Sequence, residues 1–226
     1  MINKAICLLS GGLDSSVTAY IAKNKGYEIY ALTIKYGQRH KKEVDSAKKI
    51  AKTLNVKKHV IIDLNLRKFG GSSLTDKTIE VETDNNIKDI GKKIPTTYVP
   101  ARNTIFLSIA LAYAETVDAN TIFIGATSTD YSGYPDCRPE YFQAFQKMAD
   151  IATKKSVNGN KIKIKTPLLK MSKKDIVEKG DELRVPFEKT WSCYKGKNKA
   201  CGKCDSCLLR LKGFKEAKIK DPIRYE

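Results

Sequence analysis

The sequence predicts an α/β fold, a parallel sheet with helices on both faces and a small four-cysteine module at the C-terminal end. Three observations lead there. Short apolar runs alternate with amphipathic stretches through the first 65 residues. A glycine- and serine-rich turn, "SGGLDSS" (Ser10–Ser16), joins the first such run to the first amphipathic stretch. Four of six cysteines fall between Cys193 and Cys207. Alternation of this kind implies parallel strands with crossover helices, and a turn after a strand in such a sheet is where ligands bind.

"KAICLLS" is apolar throughout and stops at a double glycine, as a strand buried on both faces does. "SSVTAYIAKNKGY" carries helical spacing and reaches Gly26, a C-terminal helix cap. "EIYALTIKY" is a second strand, "KKEVDSAKKIAKTLN" a second helix and "KKHVIIDL" a third strand. From Asn65 to Thr97 the pattern weakens, and a long loop with a short helix is expected, of the kind that is functional or mobile. "NTIFLSIALAYAETV" resumes as an apolar-faced helix, followed by strand "NTIFIGA", helix "PEYFQAFQKMADIATKKS" and strand "KIKIKTPL". Ser172 opens the next helix, with Asp175 as its capping-box partner. The last forty residues hold the cysteines and a short basic helix. The expected division is residues 1–188 for nucleotide binding and catalysis and 189–226 for the metal module.

With 226 residues the chain is long enough to bury a core without disulfides. No run of 18 apolar residues is present, so no membrane span is expected, and the N-terminus reads as a strand and not as a signal peptide. The net charge of +17 attracts polyanions, ATP and nucleic acid alike. Its lysines are scattered as on solvated helix faces, so nucleic acid is not required to explain them. Cysteines without a secretion signal imply a reducing, cytoplasmic setting and a metal site.

The turn offers unsatisfied N–H groups and a helix dipole to an anion. Leu8, Leu9, Ser10, Gly11, Gly12, Leu13, Asp14, Ser15, Ser16, Val17 and Thr18 form the expected nucleotide-binding segment. Gly11 and Gly12 would let the backbone approach the ligand, and Ser10, Ser15 and Ser16 would add hydroxyls. No lysine follows in the Walker A position. Asp14 in an anion cradle requires either a bridging Mg²⁺ or a helix-cap role. Cys193-x7-Cys201-x2-Cys204-x2-Cys207 fits a closed tetrahedral Zn²⁺ site, with an iron–sulfur cluster as the rival. In such a polar, lysine-rich segment a metal supplies the missing stability.

S-G-G-x-D-S resembles the PP-loop of the ATP pyrophosphatase superfamily. "YGQRHKKE", "YVPARN", "TDYSGYPDCRPEYF" and the cysteine spacing, in this order, narrow the resemblance to the 7-cyano-7-deazaguanine synthase (QueC) family over about Lys4 to Gly213. The resemblance implies an adenine nucleotide alpha-hydrolase-like, Rossmann-like fold and one structural zinc per subunit. It implies an ATP-dependent carbon–nitrogen ligase of the queuosine or archaeosine pathway. Its substrates would be 7-carboxy-7-deazaguanine, ammonia and ATP with Mg²⁺, and a homodimer is possible. ATP would adenylate the carboxylate and ammonia would give an amide; a second adenylation would give the nitrile, with AMP and pyrophosphate released each time. Asp14, Ser15, Arg102 and Arg138 are the expected catalytic residues. Arg102, Asn103, Asp130, Tyr131, Ser132, Tyr134, Asp136 and Arg138 are the expected substrate contacts. Ala101 stands where the family commonly has glycine, and alanine resists a positive φ there.

Overall fold

The computed structural model describes residues 3–39, 42–127, 133–195 and 198–226. Five strands run parallel in one sheet, ordered β3-β2-β1-β4-β5: β1 (Lys4–Leu8), β2 (Glu28–Lys35), β3 (Lys58–Asp63), β4 (Thr121–Phe123) and β5 (Lys163–Lys165). The chain steps outward from β1 to β3 and then returns to β1's other side for β4. The strand order therefore reverses between β1 and β4, and a crevice opens at their C-terminal ends.

Strand alternation sorts the core into two faces. Ala5, Cys7 and Leu9 point with Ile29 and Ala31 toward α1 (Leu13–Asn24) and α2 (Lys42–Leu54). Ile6 and Leu8 point with Leu32 and Ile34 toward α3 (Arg102–Thr116) and α4 (Pro139–Ala152). The outer side of α1 is buried in turn: Leu13, Val17 and Ile21 pack against Ile176 and Val177 of α6 (Lys173–Glu182) and Phe214 of α7 (Asp205–Glu216). Cys7 is fully buried and behaves as a small apolar residue, its thiol pushed up by burial.

Most expected elements are present with small shifts at their ends. Gly26 follows α1 with φ +80, and Ser172 and Asp175 form both halves of the capping box. The helix expected over residues 139–156 is two: Thr153 is extended (φ −120, ψ 147) and its hydroxyl accepts from Ser156 N, so it starts a new turn, α5 (Lys154–Val157). The strands expected over 120–126 and 161–168 keep only three residues each. The long loop holds one 3₁₀ turn, Leu66–Lys68, and is clamped by Arg39, which donates to the carbonyls of Ser73, Asp76 and Ile79.

Ala101 precedes α3 with φ 53, the left-handed conformation alanine resists. The strain is tolerated because a distant side chain supplies the cap: Asp136 Oδ2 accepts from Asn103 N at 3.0 Å. A left-handed alanine costs on the order of 1–2 kcal/mol, partly offset by the greater freedom of glycine when unfolded. Ala101→Gly is therefore expected to raise the stability by about 1 kcal/mol in denaturant unfolding.

Arg210 of α7 is 1% exposed. Its Nε and Nη2 donate to Asp221 Oδ2 (2.7 Å) and Oδ1 (2.9 Å), and Tyr225 donates to Asp221 Oδ2 at 2.6 Å. Nη1 donates to Thr190 Oγ1 at 2.7 Å and Nη2 to Phe187 O at 3.3 Å. The C-terminal tail thus anchors the segment before the cysteines. Removing one partner strands a buried charge, so Asp221→Ala is expected to cost about 3–5 kcal/mol, read from the unfolding midpoint.

Candidate nucleotide site and metal centre

The crevice beside β1 and β4 is a cleft of about 250 Å³. At one end lies the turn between β1 and α1. Gly12 is the helix N-cap, and no side chain caps this terminus. The amides of Leu13, Asp14 and Ser15 donate to no acceptor among the described residues, leaving them open to an anion. Ser15 Oγ is central to the turn: it accepts from Ser10 N (3.2 Å) and donates to Gly12 O (3.2 Å), and it lies 2.9 Å from Ser10 Oγ.

Asp14 is not the cap, because it lies inside the first turn. Its Oδ2 accepts from Lys173 Nζ at 2.6 Å, and Lys173 is nearly buried at the start of α6. Its Oδ1 is buried and makes no hydrogen bond. A buried carboxylate oxygen without a donor beside free amides fits a divalent cation bridging to phosphate. Gly213 sets the lysine's position: a Cβ there would lie 2.8 Å from Lys173 Cβ, so only glycine lets α7 come this close to α6.

Leu8, Leu9, Ser10, Gly12, Leu13, Asp14 and Ser15 line the cleft; Gly11, Ser16, Val17 and Thr18 do not. Gly11 has φ +86, and a Cβ there would strike Glu43 O and Ala47 N of α2. Its glycine is demanded by packing against α2, which corrects the expectation that it opens room for a ligand. Ser16 is fully buried and its hydroxyl donates to Gly12 O at 2.7 Å, so it fastens the helix start from behind. Val17 and Thr18 are core residues.

The far end of the cleft is aromatic. Arg102 opens α3 with its guanidinium 5.8 Å from the Tyr36 ring and 5.9 Å from the Tyr134 ring. Tyr134 and Thr97 share a hydrogen bond of 2.9 Å, and Phe106 packs 5.6 Å from Tyr36. Asn103 lines the cleft, yet its Nδ2 donates to Asp136 O (3.0 Å) and Cys137 Sγ (3.3 Å). Asp136 is buried behind it as the cap of α3. Arg138 is exposed and lines a neighbouring depression with Lys92 and Lys93. Tyr134 and Cys137 border both spaces. Asp130, Tyr131 and Ser132 lie outside the described residues, as does His40.

Three charged residues of the cleft were not in the expected set: Glu43, Lys173 and the buried Arg210. Lys173 carries no local signal, since it reaches Asp14 from 159 positions away. Glu43 ends the stretch "YGQRHKKE", which is its only sequence mark. Burial pushes its carboxyl up to about 7 against the opposing pull of Arg102. His59, the second histidine, lies 2.8 Å from Thr33 Oγ1. Thr33 donates to Leu9 O at 2.5 Å, so the ring braces the end of β1 from the next strands.

The four cysteine sulfurs of Cys193, Cys201, Cys204 and Cys207 lie within 4.8 Å of one another. A tetrahedral four-thiolate ion needs sulfurs about 3.8 Å apart, so the set fits a closed metal site. The amides of Cys201 and Cys204 donate to Cys193 Sγ (3.3 Å) and Cys201 Sγ (3.4 Å), as around thiolates held by a metal. Val81 and Trp191 complete this small core, and Asp84 N donates to Lys203 O at 2.9 Å, so the long loop wraps it. Trp191 N donates to Gly11 O at 2.9 Å, tying the metal region to the phosphate turn. Ser192, Tyr194, Ser206 and Arg210 of this region line the cleft.

The family model of the queuosine biosynthesis protein QueC matches residues 4–218. The chain belongs to the QueC family. It is 57% identical over 227 residues to the 7-cyano-7-deazaguanine synthase of Picrophilus torridus, with 100% of this chain and 92% of that one covered. It is 53% identical over 220 residues to that of Trichodesmium erythraeum, covering 97% and 99%, and 52% identical over 228 residues to that of Coxiella burnetii, covering 99% and 98%. The QueC match ends at Lys218, so Asp221 and Tyr225, which hold Arg210, lie beyond it.

Lys173→Met removes a charge-assisted donor from the anion cradle, a contact of about 1.5–3 kcal/mol. The expected result is pyrophosphate binding weakened roughly 10- to 100-fold in titration calorimetry, together with a lowered unfolding midpoint because Asp14 loses its partner.

Proposed function

We propose that this QueC family member is a ligase that converts 7-carboxy-7-deazaguanine and ammonia into 7-cyano-7-deazaguanine, consuming two ATP. The observation that carries this reading is the whole-length identity to relatives bearing that enzyme's name, joined to a cleft with an anion cradle at one end and an aromatic, arginine-bearing chamber at the other.

A carboxylate is a poor electrophile, and adenylation gives it a leaving group. In the first half-reaction a substrate carboxylate oxygen attacks the α-phosphorus of ATP, and the bond to the bridging oxygen breaks to release pyrophosphate. The free amides of Leu13, Asp14 and Ser15, with Lys173, hold the charge growing on that pyrophosphate. Asp14 Oδ1 would hold Mg²⁺, which supplies further charge neutralisation when bound. Ammonia then attacks the acyl carbon, loses a proton, and AMP departs to leave the amide. Arg102, oriented by Tyr36 and Tyr134, faces the developing oxyanion. In the second half-reaction the amide oxygen attacks a second ATP, and loss of AMP and protons gives the nitrile.

Zn²⁺ is the ion we assign to Cys193, Cys201, Cys204 and Cys207. All four ligands are protein thiolates, so the ion has no open position for substrate and its role is to hold the 189–226 region against the 1–188 catalytic region. All six cysteines are free, and a reducing, cytoplasmic setting suits them. Among the described residues no helix is long and apolar enough to cross a membrane.

The test is turnover of the purified protein with 7-carboxy-7-deazaguanine, ammonium and ATP·Mg²⁺. The expected product has the nitrile's mass, with two AMP and two pyrophosphate per nitrile and one zinc per chain by metal analysis. ATP consumption with tRNA and not with the deazapurine would replace this reading with a tRNA-modifying one.

A further inference from the structure

The stretch from Tyr36 to Glu43 gives each described polar side chain a place. Gln38 Oε1 accepts from Tyr36 N at 2.9 Å, which closes the turn after β2. Arg39 clamps three carbonyls of the long loop. Lys42 Nζ lies 3.5 Å from the centre of the Trp191 ring and donates to Asn198 O at 2.8 Å. Glu43 differs: it lines the cleft and accepts no hydrogen bond from any described residue. Its backbone packs against Gly11 of the turn before α1, and its charge reaches Arg102 and Tyr36 as well as Cys193.

A carboxylate in a cleft walled by Leu8, Leu32, Ile34 and Phe106 is disfavoured until something donates to it. The cleft's other carboxylate, Asp14, is held by Lys173 at the phosphate turn. Asp136, expected from the sequence to read the substrate's edge, caps α3 behind the cleft wall. A 7-deazaguanine ring carries two parallel donors, N1–H and a 2-amino N–H, spaced to match the two oxygens of one carboxylate. That donor edge lies across the bicycle from the 7-carboxylate.

We propose that Glu43 is a specificity-determining residue that accepts both N1–H and the 2-amino N–H of the deazaguanine ring. The inference rests on the deazaguanine reading above and names the residue that selects this base. A site that hydrogen-bonds a substrate donor rejects the analogue lacking it, because its own acceptor is then left buried and unpaired.

The experiment compares kcat/KM for 7-carboxy-7-deazaguanine with that for the analogue lacking the 2-amino group, in the wild type and in Glu43→Gln. The wild type is expected to prefer the 2-amino substrate on the order of 100-fold. Glu43→Gln should cut the preference to about fivefold or less through the 2-amino substrate, with KM for ATP unchanged. A wild-type preference retained in Glu43→Gln, or activity lost equally on both substrates, overturns the assignment. So does a preference that collapses in Asp130→Asn and not in Glu43→Gln. If Glu43→Gln does not fold, Glu43→Asp keeps the charge and should bind the 2-amino ligand more tightly than the analogue in calorimetry; equal affinities overturn the assignment. Failure of the wild type to turn over 7-carboxy-7-deazaguanine at all sinks the deazaguanine reading instead, which separates the two outcomes.

Discussion

Three backbone amides at the start of α1 have no acceptor among the described residues, and the architecture is arranged around that fact. A helix start buried without partners is unfavourable unless a ligand or solvent meets it. Here it opens where β1 and β4 part, so the sheet's own topology supplies the space. Gly11 lets the turn pass close under α2, Ser16 ties the helix start down from behind, and Trp191 reaches across to Gly11 O. The turn is held on every side except the one facing the cleft.

The metal region belongs to the same construction. Cys193 to Cys207 sit in a small core with Val81, Ala200 and Trp191, against which Tyr194, Ile223 and Tyr225 pack partly buried. An ion on the four thiolates would add to the stability of that small core. What it would hold in place is a cleft wall: Ser192, Tyr194 and Ser206. From the other side, Arg210 and Asp221 pin Phe187 and Thr190, just before Trp191. The segment that reaches over the turn before α1 thus lies between the four-cysteine cluster at one end and a buried ion pair at the other.

Charge is divided along the cleft in the way two successive adenylations require. Lys173 and the helix dipole gather at the pyrophosphate end, and Arg102 stands at the aromatic end between two tyrosines. Glu43 is, with Asp14, one of two acids that line the cleft among the described residues. The +17 net charge of the chain adds general attraction for ATP and for an acidic substrate.

The sequence by itself determined what is local. The order of strands and helices, the capping box at Ser172, the open helix start after Ser10–Gly12 and the candidate metal cluster of four cysteines follow from residue type and spacing over a few positions. The left-handed backbone at Ala101 was expected only from the resemblance, because the family commonly has glycine there. Tertiary structure alone decided which polar groups meet. Asp14 reads equally as a cap or a metal ligand until it is seen inside the first turn, with one oxygen on Lys173 of α6 and the other unpartnered. Asp136 and Asn103 read as substrate contacts until they are seen holding each other. Gly11 reads as room for a ligand until α2 is seen against it. A hydrogen bond depends on distance and direction in space, and chain separations of 33 and 159 residues leave no trace of it in the local pattern.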